Sequence, residues 1–324
     1  MSNFYCKQLN DDENSVVLGF RPDDRSVQEA RIALRYGANL VQYTYQGHAI
    51  IDYDPALLKS SDFTGTPVLY PTPNRVKEGV FVFRGKVYNQ VKRGRRVLEH
   101  GLVYDEPWEL VGANASQTEA LLSARILWSP DSRLFCAFPF PHSLMLTFRL
   151  MDGAIEIAYK ITNLGAHEIP YGFGLHPYFQ KRSGESNTLI SLPVEQVMEA
   201  TPELLPTGNL QAVKGTIYDL NAPTPIGSLD LDHVFLRAGK DSAARIYYAN
   251  QGLHVSIQAS NDFSHYVVYS PQGMPYFCLE SQTCSTNAHN LYDQGFQDIS
   301  GLKIVAPGAK QTGWVRYVTA PYQV

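Results

Sequence analysis

The run "MPYFCLES" ends an apolar stretch on a carboxylate, Glu280. A segment of that composition belongs in an interior, where an ionised carboxylate needs partners or a raised pKa, so Glu280 is a candidate acid or base. His176 sits in "YGFGLHPYF" among aromatics and glycines. An imidazole in that setting serves as core filler, metal ligand or acid. Asn74 and Arg75 in "PTPNRVKEG", His100 in "VLEHGLVYDEPWEL" and Asp232 in "LDLDHVFL" complete a set of separated polar residues in strand-like or turn-like runs. A lone histidine beside apolar neighbours is more often a satisfied core or turn residue than a catalyst, so no single position settles the chemistry.

Several chemistries are excluded by pattern. "GFGLHP" opens like a dinucleotide fingerprint with Gly172 and Gly174, but Pro177 stands where the final glycine belongs and no helical periodicity follows. There is no G-x-S-x-G elbow and no P-loop. His100, His176 and Glu280 form a 2-His-1-carboxylate iron set on paper, without any short-range ligand spacing to support it. The basic residues Lys92, Arg93, Arg95 and Arg96 surround Gly94 and read as a solvated turn rather than an anion grip.

The elements that must position these residues are strands. Twenty tyrosines, fifteen phenylalanines and frequent Gly and Pro punctuate short alternating runs. In "SLMLTFRLMDGAIEIAYKITN", Leu144, Leu146, Phe148 and Leu150 share one face, Asp152-Gly153 forms the turn, and Ile155, Ile157, Tyr159 and Ile161 share a face of the return strand. A second hairpin turns at Arg84-Gly85, and further strands are expected in "GLHVSIQAS", "HYVVYS", "MPYFCLES" and "TGWVRYVT". Ser116-x-x-Glu119 resembles a helix capping box, yet Leu122, Ala124, Ile126 and Trp128 alternate, which favours a strand.

With 324 residues the chain is long enough for two domains, but no linker, charge block or repeat divides it, so residues 1–324 are read as one all-β domain. A net charge of -4, from 27 basic and 31 acidic residues, gives no pull toward nucleic acid or an anionic membrane. Cys6, Cys136, Cys278 and Cys284 lack any C-x-x-C spacing and are expected to be reduced core thiols. Neither a signal peptide nor a membrane-spanning apolar run is visible, which predicts a soluble cytoplasmic protein, monomeric or homodimeric.

In order along the chain, "PTPNR", "HG" followed by "PW", "GLHPYF", "LDHVF" and a late "LES" resemble the aldose 1-epimerase (galactose mutarotase) family, in its bacterial mutarotase-related branch. The resemblance covers roughly residues 15 to 320 and rests on the combination rather than on any one motif. It implies a large antiparallel β-sandwich with an open sugar cleft, the galactose mutarotase-like supersandwich. It also implies Glu280 as catalytic base, His176 as catalytic acid, His100 and Arg75 beside Asn74 as substrate-binding groups, and Asp232 as a grip on sugar hydroxyls. The chain reads "HGLVY" where many relatives read "HGFAR", so Tyr104 replaces their arginine.

The implied reaction interconverts the anomers of a free monosaccharide such as galactose or glucose, and it calls for no metal or organic cofactor. A base takes the proton of the C1 hydroxyl while an acid protonates the ring oxygen, each contributing roughly 10² to 10⁴ in rate. An apolar setting would lift the base toward neutrality, and a nearby carboxylate would favour the imidazolium form of the acid. Alternation along the strand sends His233 away from Asp232, and Trp108, Phe173 and Tyr178 are more readily core residues than sugar platforms. Two rival readings are a non-catalytic carbohydrate-binding protein and a hexose-phosphate 1-epimerase.

Overall fold

The computed structural model describes residues 3–23, 26–239 and 242–322. The hairpin predicted from alternation pairs His142–Met151 with Ala154–Asn163, from Leu150 opposite Ile155 to Leu144 opposite Ile161. Leu144, Leu146, Phe148 and Leu150 are fully buried while their alternate neighbours are half-exposed. Burying each such side chain contributes about 1.5–3 kcal/mol relative to leaving it in water. Arg84 and Gly85 join Val80–Phe83 to Lys86–Asn89, with φ of +53° and +73°. Two left-handed residues in a row match the right-handed twist of the flanking strands.

Ala120–Trp128 is a strand, as its alternation requires. The capping-box pattern before it has a physical counterpart. The Ser116 hydroxyl accepts from the Thr118 and Glu119 amides at 3.2 Å each, but it closes the turn after strand Glu109–Ala115 rather than starting a helix.

Among the described residues, two large sheets carry the fold, and every pairing between named strands is antiparallel. The larger runs Phe4–Gln8, Ser15–Phe20, Gln28–Ala33, Asn39–Tyr45, His48–Ile51, Tyr178–Gln180, Tyr276–Gln282, His265–Tyr269, Asp232–Arg237, Val194–Ala200, Pro206–Ala212. Gly174–Leu175 and Val68–Leu69 attach beside Tyr276–Gln282. The smaller places Ala154–Asn163 and Leu253–Ala259 on either side of Lys310–Pro321. The sheets face one another as an all-β antiparallel sandwich. Phe179 of the larger meets Tyr317 of the smaller at 5.5 Å, the Tyr43 and Thr319 hydroxyls lie 3.4 Å apart, and the Gln28 amide donates to the Met151 and Ala154 carbonyls. No helix among the described residues is long and apolar enough to cross a membrane.

Cys278 and Cys284 are buried thiols and Cys6 is half-buried, but Cys136 is exposed, contrary to its reading as a core residue. It lies in the irregular segment after Trp128, where Leu134 and Phe138 take the inward positions instead.

Three histidines belong to the core. His142 hydrogen-bonds the Phe140 carbonyl through Nδ1 at 2.6 Å and the Tyr70 hydroxyl through Nε2 at 2.7 Å, a pair that a neutral ring satisfies as donor and acceptor. His265 and His289 each meet a backbone carbonyl through Nε2. Burial pushes all three down to about 4 from the usual 6.5. Neutral in the folded state, they bind protons on unfolding, so their stabilisation is present above pH 6.5 and is lost as pH falls toward 4. The urea midpoint should therefore drop between pH 7 and pH 5, by the equivalent of roughly 2 kcal/mol per histidine. Replacing His142 with Gln should remove its share of that pH dependence.

Candidate active site

The centre is set by strand register. Gly174 pairs with Gln282, Leu175 with Ser281 and Tyr178 with Cys278, so His176 falls opposite Glu280. Directly opposed residues of an antiparallel pair share a face. Phe277 contacts Phe179 on the sandwich side, which sends Cys278, Glu280 and Gln282 to the other face of the larger sheet. Asp232 reaches that face through the row Asp232, Tyr269, Cys278, Tyr178. His233 turns its ring toward Tyr218, with Nε2 3.3 Å from the Tyr218 hydroxyl, and it also borders the cavity beside Asp232.

A pair of apposed loops supplies the remaining polar residues. The His100 amide donates to the Asn74 carbonyl at 2.9 Å and the Leu102 amide to the Tyr70 carbonyl at 2.7 Å. Asn74 and His100 have φ of +57° and +60°, which costs about 1–2 kcal/mol for a non-glycine residue and is tolerated here because neighbouring hydrogen bonds hold both loops. Gly101 must be glycine, since a Cβ would lie 2.3 Å from the Tyr70 carbonyl oxygen. Gly172 is a clearance of the same kind, because a Cβ would fall 2.6 Å from Pro73 Cδ and 2.2 Å from Cys284 Sγ. The glycine of "GFG" thus lets the "PTPNR" loop close rather than cradling a phosphate.

His176 Nε2 lies 3.3 Å from Glu280 Oε1, and Glu280 Oε2 accepts from the Gln282 side-chain amide at 2.7 Å. Glu280 is 1% exposed and His176 6%. The His100 ring meets His176 edge-on at 5.1 Å. Phe63 packs on both histidines, at 4.6 Å from His100 and nearly parallel to His176 at 6.2 Å, while Tyr178 stacks on His176 at 5.0 Å. Arg75 Nη2 pairs with Asp232 Oδ2 at 3.4 Å, both side chains about a third exposed. A small cavity lined by Asn74, Arg75, Met198, Asp232 and Thr286 adjoins this pair, and a groove lined by Phe63, Tyr178 and Tyr276 opens beside the aromatic stack.

Burial drives the electrostatics. It pushes the Glu280 carboxyl well above the usual carboxylate range, with the Gln282 amide and Arg75 acting the other way. It pushes His176 down to about 4, and it lowers His100 well below 6.5, helped by His176 and Arg75. Desolvation outweighs the carboxylate's pull on His176, so the imidazolium expected from the sequence is not the resting form. Both shifts favour the uncharged forms of the buried pair.

All six residues singled out from the sequence are therefore drawn together: Glu280 and His176 in contact, His100 against His176, and Arg75, Asn74 and Asp232 around the adjoining cavity. Among the described residues, no group of three or more His, Cys, Asp or Glu is arranged to hold a metal ion. Trp108 and Phe173 are core, and only Tyr178 of the suggested platforms touches the centre. Two residues went unread in the sequence. Gln282 carries a signal, two positions beyond Glu280 on one strand face, whereas Phe63 is a single aromatic in a loop and carries none. The basic turn is corrected at Lys92. Arg93, Arg95 and Arg96 are exposed, as a solvated turn predicts, although Arg93 also pairs with Asp105 and Glu106; Lys92 is largely buried, pairs with the same two acids and donates to the Leu102 carbonyl at 2.8 Å.

Comparison with known proteins agrees with the fold. An uncharacterized protein of Escherichia coli K12, YihR, is 27% identical over 263 residues, covering 78% of this chain and 80% of its own length. Human galactose mutarotase is 23% identical over 244 residues, 64% of this chain and 67% of its own. A galactose mutarotase-like protein from Clostridium acetobutylicum superposes with a TM-score of 0.85 at 22% identity, over 98% of this chain and 99% of that one. Galactose 1-epimerase from Lactobacillus acidophilus does so at 0.77 and 15%, over 100% and 99%. Residues 29–318 match the aldose 1-epimerase family model, and the chain belongs to that family of isomerases.

Proposed function

We propose that this family member interconverts the α and β anomers of a free, uncharged aldose such as galactose or glucose by acid–base ring opening and reclosure, without a metal or organic cofactor. The reading is carried by one observation, the 3.3 Å contact between His176 and Glu280 in a dry recess. A binding module has no need to bury an ionisable pair, whereas anomer exchange needs one acid and one base within reach of neighbouring oxygens.

On this reading the C1 hydroxyl donates to Glu280 and the ring oxygen faces His176. Hydrogen bonds from sugar hydroxyls replace the missing solvent around the carboxylate and favour the form in which the proton sits on the imidazole. Glu280 then takes the O1 proton as His176 delivers its own to the ring oxygen, and the C1 to ring-oxygen bond breaks. Rotation about C1 to C2 and the reverse transfers close the ring as the other anomer. His100, held neutral, and Arg75 stabilise charge developing on oxygen, and Asp232 accepts from sugar hydroxyls. An uncharged sugar is favoured over a phosphorylated one because Lys92 and Arg93 are already paired with Asp105 and Glu106, and Tyr104 packs on Phe63 where relatives carry arginine.

Polarimetry of freshly dissolved single anomers tests the proposal. Glu280→Gln is nearly isosteric but cannot accept the O1 proton, so turnover should fall by roughly 10³ or more while calorimetric sugar affinity changes by at most about 1–2 kcal/mol. Wild-type turnover in that variant would remove Glu280 as the base. His176→Asn keeps a polar side chain and removes the proton donor, and turnover should drop by roughly 10² or more with the fold intact by circular dichroism. Wild-type protein that binds sugars yet accelerates no anomer exchange would establish the binding module instead.

A further inference from the structure

The Glu280 carboxylate is held by an unusual neighbour. Its Oε2 accepts from Gln282 Nε2 at 2.7 Å, and among the described residues its other contact is His176 at Oε1. Gln282 is completely buried, and its own carbonyl oxygen, Oε1, has no hydrogen-bond partner. An unpaired buried amide oxygen is destabilising, and a leucine of similar volume would avoid that cost. What a leucine would forfeit is the donor on Glu280. Room for the amide comes from the facing strand, where Gly174 pairs with Gln282 and a Cβ on it would lie 3.0 Å from Gln282 Cγ.

We infer that Gln282 is a positioning residue for the reaction, fixing the Glu280 carboxyl by its Oε2 so that Oε1 alone is presented to His176 and to the substrate hydroxyl. This rests on the acid–base reading above and goes beyond it, because Gln282 touches neither substrate nor reacting atoms. Alternation places Gln282 and Glu280 on one face of strand Tyr276–Gln282, two residues apart, and the Gln282 side chain spans that interval. Gln282 is fully buried, and the missing side chain of Gly174 leaves the room it occupies. The amide also stabilises the charged carboxylate that burial opposes, so it keeps Glu280 usable as a base near neutrality.

The test uses Gln282→Leu and Gln282→Met, which keep the volume and remove the donor. In each, kcat for anomer exchange should fall roughly 10- to 100-fold, the scale seen when an outer hydrogen-bond partner is removed. Loss of the donor raises the carboxyl pKa, so the acidic limb of the pH–rate profile should move up by about one pH unit, with sugar affinity changed less than about threefold. The Glu280 titration is followed independently by infrared difference spectroscopy, assigned with Glu280→Gln. A folded variant whose limb and carboxyl titration match wild type, or whose activity falls equally at every pH with the titration unmoved, overturns the inference. Should neither variant fold, the side-chain amide resonances of Gln282 in wild-type protein must shift with the Glu280 titration, and unmoved resonances overturn it too. Wild-type protein without anomerase activity strikes the functional reading, and the infrared titration then decides the role of Gln282 alone.

Discussion

The register that sets His176 opposite Glu280 is the constraint on which the rest depends. It forces two ionisable side chains into a face that solvent barely reaches, where an isolated ion is prohibitively costly and an ion pair recovers only part of its desolvation. Burial resolves the conflict by shifting both groups toward their uncharged forms. Gln282 completes the carboxyl's hydrogen bonding, and Phe63 and Tyr178 hold the imidazole from both sides, its Nδ1 having no partner of its own. The salt bridge between Arg75 and Asp232 is kept where about a third of each side chain still meets water.

One strand serves two purposes through its pleat. Phe277 and Leu279 of Tyr276–Gln282 anchor the sandwich interior, and the intervening Cys278, Glu280 and Gln282 build the site. The chemistry is thus mounted on the back of the core, where strand pairing on both sides fixes the backbone. The loop residues need a different kind of restraint. Asn74 and His100 occupy left-handed backbone conformations that are uncommon for residues other than glycine, and each loop is hydrogen-bonded to the other. Gly101 gives clearance against the Tyr70 backbone and Gly172 against the Pro73 and Cys284 side chains.

How much of this the sequence disclosed follows from the range of each interaction. Alternation over Leu144–Leu150 and Ile155–Ile161 is local, so the hairpin, its turn and its buried face were all legible. Glu280 was legible because a carboxylate ending "YFCL" conflicts with its surroundings. The Ser116 pattern was ambiguous since one hydroxyl makes the same bonds in a tight turn as at a helix start. The downward shift of His176 was not legible, because it depends on how completely Phe63, Tyr178 and the sheet exclude water, and Phe63 lies more than a hundred residues away along the chain. Nor was the pairing of Lys92 and Arg93 with Asp105 and Glu106, where charges read as solvated in a turn are closed by acids from another segment.

That last pairing joins the others in one electrostatic design. Arg75 has Asp232, and Lys92, Arg93 and Arg133 converge on Asp105 and Glu106, so the cations around the centre have carboxylates of their own. Opposite charges at these distances largely cancel beyond a few ångströms, leaving little field to attract an anion. Anomer exchange asks for no such field. On the proposed reading one proton leaves a sugar oxygen for Glu280 as another leaves His176 for the ring oxygen, so the site begins and ends each transfer with the same total charge. On this reading, the buried acid–base pair set by the sheet register carries the proton transfers, and Arg75 and Asp232 supply the charged groups around it.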